Sequence, residues 1–391
     1  MEKPTPPLRK RSIDDRRTWW LTATQGTPTQ ARFFAGAAAD LDLADLLVEN
    51  AVGWFPLPLG VASGLVVNGV NYEVPLATEE PSVIAAVSYA ASIAGRSGGF
   101  RAGASDSVMR AQVFLEHPAT DFEARWEAQR TDLEALARTH LTSMERRGGG
   151  FRGLSWGRLD QGVIVVRIDV DVRDAMGANL LNTLAEALAR PLEKALGGRK
   201  LMAILSNDAT HRPAWAEVTL PVAALAKPGI DGAEMARRVA LGSALAQMDP
   251  QRAVTHNKGI MNGITALALA TANDTRALEA AVHSYACRSG VYRGLSHWAV
   301  DGDALTGRVE IPLALATVGG SVGIHPTARM GLQLLGNPDA PTLCAVAAAL
   351  GLAQNFAALF ALTGEGIQSG HMALHDRRQR WLDGQNESSH R

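Results

Sequence analysis

Apolar and polar positions along the chain change texture twice. Residues 29–48 carry apolar side chains at helical spacing, and Glu49-Asn50-Ala51-Val52-Gly53 follows as a turn. Residues 56–62, with two prolines, read as extended, and Asn68-Gly69 between apolar flanks predicts a tight hairpin over residues 65–72. Glu79-Glu80-Pro81-Ser82 opens an apolar helix that runs to about Ala94 and stops at Gly95. Proline suits a first turn, and acids suit the positive end of the helix dipole. Between about 104 and 212 the alternation shortens. It predicts a strand at 107–117, a charged helix at 121–147 closed by Gly148-Gly149-Gly150, strands at 151–159 and 163–172, a helix at 179–196 and a strand at 200–206. That order is β-α-β-β-α-β, the split βαβ arrangement. After Trp215 the chain turns Ala- and Leu-rich again. A strand is expected near 216–220, helices at 233–247 and 277–286, a strand at 305–313, a tight turn at 318–320, and helices at 326–335 and 340–362.

The expected fold class is therefore α+β. A large mixed helical and sheet domain (residues 19–103 and 213–370) is interrupted by an inserted ferredoxin-like small domain at 104–212. Residues 1–18 are expected as a disordered leader and 371–391 as a separate residual C-terminal segment, polar and loose from 376 onward.

Composition narrows the function classes. A chain of 391 residues is long enough for two domains, and a net charge of −1 with 20% charged residues argues against a large nucleic-acid footprint. The basic cluster Arg9-Lys10-Arg11 reads as a solvated tail. Cys287 and Cys344 cannot form a disulfide framework, which points to a reducing compartment such as the cytoplasm. Residues 1–18 lack the apolar run of a signal peptide. Residues 343–362 are apolar except for Gln354 and Asn355 near their centre, so a buried helix is expected there, not a membrane span.

Three stretches hold candidate chemistry. Residues 254–274 place Lys258 among small and apolar residues beside His256, Asn257 and Asn262, with Gly259 and Gly263 allowing close approach. A lysine there is either at the edge of a buried helix or at work on a ligand. Strand 163–172 leads through Arg173-Asp174-Ala175-Met176-Gly177-Ala178-Asn179 into a helix, a ready anion site with one glycine, unlike the G-x-G-x-x-G fingerprint. Locally it also fits an ordinary βα turn capped by Asp174. Asp169, Asp171 and Asp174 have no histidine or glutamate at ligand spacing, so no metal is expected. His371 and His375 lie four apart but lack the glutamate of a zinc motif. Cys287 reads as a small core residue, which leaves a thiolase-like acyl transferase without its nucleophile.

Taken together the motifs resemble the class II 3-hydroxy-3-methylglutaryl-coenzyme A (HMG-CoA) reductases. The likeness runs from about Glu49 to His375. It rests on Glu49-Asn50-x-x-Gly53, Glu79-Glu80-Pro81-Ser82, the 174–179 turn, residues 255–263, Asn273-Asp274 and residues 364–372. The resemblance implies reduction of HMG-CoA to mevalonate with NADH or NADPH, release of coenzyme A, and homodimers with active sites at the subunit interface. It assigns the dinucleotide to the small domain through Asp174, Ala175, Met176, Gly177 and Asn179, and the acyl-coenzyme A to the large domain. Lys258 would stabilise the oxyanion, Glu80 would donate a proton, Asp274 would orient the lysine, and His371 would protonate the departing thiolate. Glu80 and Asp274 are expected as a coupled pair around Lys258, one carboxyl raised by burial and repulsion. Ser82, Asn207, Arg252, Asn262 and Gln354 fall where the family contacts substrate or lysine. The family continues past the histidine into a helical flap, whereas here only residues 376–391 follow His375. A truncated flap leaves a second expectation: an acyl-coenzyme A-binding homologue with little or no reductase activity.

Overall fold

In the computed structural model the described residues are 6–28, 30–31, 41–364 and 366. The chain begins earlier as structure than expected. Ser12 accepts a hydrogen bond from the Asp15 amide and caps helix α1 (Ile13–Ala23), which buries Trp20. A 3-10 turn at Leu8–Lys10 precedes it, with Arg16 of α1 donating to the Leu8 carbonyl, so the leader reading is corrected from residue 8 onward; the signal for α1 is the Ser-x-x-Asp spacing. Helix α2 (Leu41–Leu47) follows. Strands β1 (Leu59–Val67) and β2 (Val70–Ala77) form the hairpin expected at Asn68-Gly69. Both turn residues have positive φ, +52° and +81°, the conformation that matches strand twist across a two-residue turn. The Asn68 side chain also bonds both main-chain groups of Ala102, seating the hairpin on the sheet beside it.

Helix α3 (Val83–Ala94) starts two residues after Pro81, so the proline precedes the first turn instead of occupying it. Strand β3 (Arg101–Ala104) leads into β4 (Val108–Glu116). The charged stretch expected as one helix at 121–147 is two helices, α4 (Phe122–Thr139) and α5 (Thr142–Glu145), broken at His140-Leu141. Then come β5 (Gly150–Arg158), β6 (Ile164–Asp171), α6 (Ala178–Leu196) and β7 (Arg199–Ser206). The four strands form one antiparallel sheet in the order β5-β6-β4-β7. Leu181, Leu184, Leu188 and Leu192 of α6 join Phe122, Trp126 and Leu133 of α4 in its core. Asp169 is held by a two-pronged bond from Arg110 (2.7 and 2.8 Å), and buried Asp171 by Arg152 at 2.6 Å.

Strand β8 (Pro213–Pro221) returns the chain to the larger core. Helices α7 (Gly232–Met248), α8 (Pro250–Ala270) and α9 (Thr275–Ala286) follow, then β9 (Ser296–Asp301) and β10 (Ala304–Pro312). Strand β9 is absent from the sequence-based expectation, because Ser-His-Trp-Ala-Val-Asp carries little apolar signal. These strands build a second antiparallel sheet, β3-β8-β10-β9. The turn expected at 318–320 runs into short α10 (Gly320–Ile324), followed by α11 (Pro326–Leu334) and α12 (Ala340–Leu362). Helix α12 passes through the centre of this core and is buried nearly throughout. The overall architecture is mixed α+β.

Candidate active site

Helix periodicity decides what each residue around Lys258 does. Within α8, His256, Asn257, Ile260, Met261 and Ile264 face the core, while Lys258 lies on the outward stripe with its side chain 58% exposed. The inward polar pair is fully occupied. Asn257 donates to the Arg293 carbonyl (2.8 Å) and accepts from the Leu295 amide (2.9 Å). His256 Nε2 lies 2.7 Å from Ser296 Oγ, which donates to Asn355 Oδ1 at 2.8 Å; Trp298 Nε1 donates to the same oxygen at 2.8 Å. Burial, with a smaller contribution from Arg252, lowers the His256 imidazole to about 4.

That network carries a pH prediction. The folded state keeps His256 neutral, so its contribution is fully present above the unfolded value near 6.5 and is lost as pH falls toward 4. The loss amounts to about 3 kcal/mol at most, since a tenfold change in proton affinity corresponds to about 1.4 kcal/mol. Urea midpoints of the wild type should decline across that window, and those of His256→Gln should decline less steeply. Equal slopes would remove His256 as the cause.

Glu80 reaches Lys258 from the loop between β2 and α3. Its Oε2 accepts from Lys258 Nζ at 2.5 Å, and its amide is anchored on Thr78 Oγ1. The turn depends on Ser82, whose φ of +76° is left-handed for a residue with a side chain. Such strain concentrates at functional sites, where surrounding structure holds it. Ser82 offers no side-chain cap to α3. Asn262 follows Lys258 by one helical turn and is half-buried, and Arg252 is half-buried in the first turn of α8, where burial lowers its pKa. Gln354 of α12 lies against Gly263, where an added Cβ would come within 3.5 Å of its Oε1. That oxygen is buried and makes no hydrogen bond.

Asp274 behaves differently from expectation. It caps α9 by accepting from the Ala277 amide (3.0 Å) and lies 3.8 Å from Arg276. Lys258 is twelve residues before the end of α8, about 18 Å along the axis. Thr265 of α8 bonds Glu279 of α9, so α9 turns back beside α8 with Asp274 at the far end. The Glu80–Asp274 pair around Lys258 is therefore not made within one chain. The lysine itself stands at the exposed edge of a helix whose other face is buried. Asn207 is exposed in the loop after β7. His371 lies outside the described residues.

The 174–179 turn is also rearranged. Gly177, with φ of +93°, is the residue before α6, and no side chain caps that helix, which leaves its first amides available. A Cβ on Gly177 would come 2.5 Å from Val172 Cγ1. Asp174 does not cap α6 as expected: its Oδ1 accepts from the Ala340 amide at the start of α12, 166 residues away. Free amides at a helix start and a side-chain-free cradle fit a phosphate group. Cys287 is exposed just past the end of α9, which corrects the core reading.

Comparisons with known proteins agree with this geometry. Residues 12–376 match the family model described as hydroxymethylglutaryl-coenzyme A reductase. The chain is 43% identical over 343 residues to the 3-hydroxy-3-methylglutaryl-coenzyme A reductase of Archaeoglobus fulgidus, covering 86% of this chain and 77% of that one. It is 38% identical to the probable enzyme of Borreliella burgdorferi, covering 86% and 78%. Its fold superposes on the class II reductase of Streptococcus pneumoniae bound to NADPH in open conformations, with a TM-score of 0.86, 40% identity, and coverage of 91% and 99%. Both the fold and these likenesses make the chain a member of the hydroxymethylglutaryl-coenzyme A reductase family.

Proposed function

We propose that Glu80 and Lys258 form the reducing centre of an NAD(P)H-dependent HMG-CoA reductase. The reaction interconverts HMG-CoA, two NAD(P)H and two protons with mevalonate, coenzyme A and two NAD(P)⁺. The observation that carries the reading is the 2.5 Å contact between the Lys258 ammonium and the Glu80 carboxylate. The contact sits on an outward face of α8, open to a ligand. Attack on the thioester carbon builds negative charge on its oxygen, and a positioned ammonium stabilises that charge most where water is excluded. Once its carboxyl has taken up a proton from solvent, Glu80, next to the ammonium, is placed to hand that proton to the same oxygen. Bound nicotinamide supplies the hydrides. The amides at the start of α6, with Ala175, Met176, Gly177 and Asn179, would hold the dinucleotide phosphates. Residues 104–212 serve as the dinucleotide unit, and residues 19–103 and 213–370 as the acyl-coenzyme A unit. Ser82, Arg252, Asn262 and Gln354 are assigned to the acyl group, and Asn207 approaches it from the small unit. His371, at the head of the 371–391 segment, keeps the role of proton donor to the thiolate.

The working form is a homodimer. Asp274, beyond the far end of α8, is too distant to serve Lys258 of its own chain, so a second copy supplies it. A two-fold axis that runs α8 antiparallel to its mate brings the two ends together. Val254 (54% exposed) and Leu269 (40%) lie on the same outward stripe as Lys258 and would be covered by such pairing. Two free cysteines suit a cytoplasmic enzyme.

The direct test mixes the protein with HMG-CoA and each reduced nicotinamide and follows the loss of near-ultraviolet absorbance. Oxidation with at least one cofactor is expected. No oxidation with either, alongside coenzyme A binding, would favour the acyl-coenzyme A-binding homologue. Gly177→Ala should raise the KM for the dinucleotide about tenfold or more, because the added methyl group meets Val172 and the left-handed φ penalises any side chain. An unchanged KM would remove the turn from the dinucleotide site.

A further inference from the structure

Arg212 is the only buried arginine among the described residues, at 2% exposure. It lies in the loop that carries the chain from β7 back to β8. A buried guanidinium is costly unless its donors are taken up. Here Nη2 donates to the Leu315 carbonyl at 2.5 Å and Nη1 to the Ala175 carbonyl at 3.3 Å. Cys344 of α12 lies beside it, and Asp171 and Asp174 balance its charge at longer range. The chemistry assigned to Glu80 and Lys258 makes no use of this cation.

What the guanidinium does is join two parts of the molecule. Ala175 belongs to the turn that leaves β6, in the small sheet's connection to α6. Leu315 belongs to the segment that leaves β10 in the larger core. A second tie runs beside the first: Asp174 Oδ1 accepts from the Ala340 amide (2.8 Å), and the Asp174 carbonyl accepts from the Thr317 amide (2.9 Å). On either side of the ties the backbone is left-handed, at Arg173 with φ of +53°, costly for a residue with a side chain, and at Gly177 with +93°, which glycine adopts freely. Helix α12 then runs from Ala340 to Gln354, which lies against Gly263 of α8, the helix that carries Lys258. The turn and the lysine are thus fixed to one rigid element.

We propose that Arg212 is a positioning residue for hydride transfer. It locks the 174–177 turn to the core that holds Lys258 and touches neither substrate. The inference rests on the assignment of that turn to the dinucleotide. Its consequence is selective. Loosening the turn weakens dinucleotide binding and misplaces the hydride donor, for which small displacements are expensive, while the acyl-coenzyme A surface stays as it was.

Arg212→Lys keeps the charge but cannot span both carbonyls. Titration with NADPH, followed by nicotinamide fluorescence, should show affinity lowered about tenfold, the size of one charge-assisted hydrogen bond. Titration with coenzyme A alone should agree with the wild type within about twofold. Equal losses for both ligands, or no loss for either, would overturn the proposal. Should Arg212→Lys not fold, the second tie provides an equivalent test. Asp174→Ala should lose NADPH affinity selectively, and Asp174→Asn, which still offers the Ala340 amide an oxygen, should restore it. An asparagine variant as weak as alanine would overturn the clasp. Gly177→Ala separates the two levels: unchanged NADPH affinity there refutes the dinucleotide assignment itself, whatever Arg212 does.

Discussion

Lys258→Ala should lower kcat for HMG-CoA reduction by about 10²–10³-fold, the usual cost of removing one preorganised donor to a developing oxyanion. The ammonium sits on an exposed face, so its removal leaves no buried cavity or unpaired core group, and the thermal midpoint should shift little. That separation of turnover from stability makes the variant informative. KM for HMG-CoA should change less than kcat, because the interaction grows as charge builds on the oxygen. Glu80→Gln should also impair turnover, since the amide cannot give up a proton. Adding it to Lys258→Ala should then cost little more, as expected for two groups that act as one unit. Near-normal turnover of Lys258→Ala would refute the assigned role, and strictly multiplicative losses in the double variant would separate the two residues.

The parts of the fold legible in the sequence are those decided locally. Asn68-Gly69 could only be a tight turn, because both positions need positive φ. The strand and helix order of residues 107–206 followed from changes of apolar period. Helix α12 was readable as buried because its only central polar groups were two amides. Asn355 indeed pairs with Ser296 and Trp298 inside the core.

The misreadings have a common cause in partners distant along the chain. Asp174 looked like the cap of the helix that follows it, yet its partner is the Ala340 amide. His256 and Asn257 are turned inward by Ser296, Arg293 and Leu295, and that inward turn puts Lys258 outside. Arg212 carries no signal of its own. Nothing in His211-Arg212-Pro213 distinguishes a buried clamp from a surface arginine, because the distinction lies in the carbonyls of Ala175 and Leu315. The break at His140-Leu141 has neither glycine nor proline to announce it.

Mixed dimers should recover activity that neither parent has. In the proposed two-fold arrangement each site draws Glu80 and Lys258 from one subunit and Asp274 from the other. One subunit with Lys258→Ala and one with Asp274→Asn then reconstitute a single intact site, while the second site carries both lesions. Co-expression under two affinity tags, followed by purification on both, isolates that species. It should show about half the wild-type turnover per dimer, against a loss of about two orders of magnitude for the Lys258→Ala parent. The outcome follows from one dimension. With about 18 Å of helix between Lys258 and the end of α8, two side chains cannot close the gap within a chain, whereas antiparallel helices place opposite ends side by side. If both residues served the site from the same subunit, every site in the mixed dimer would carry one lesion, and activity would stay at the level of the parents. Recovery would at the same time explain why Asp274, seen in a single chain, only caps α9 and lies beside Arg276, away from Lys258.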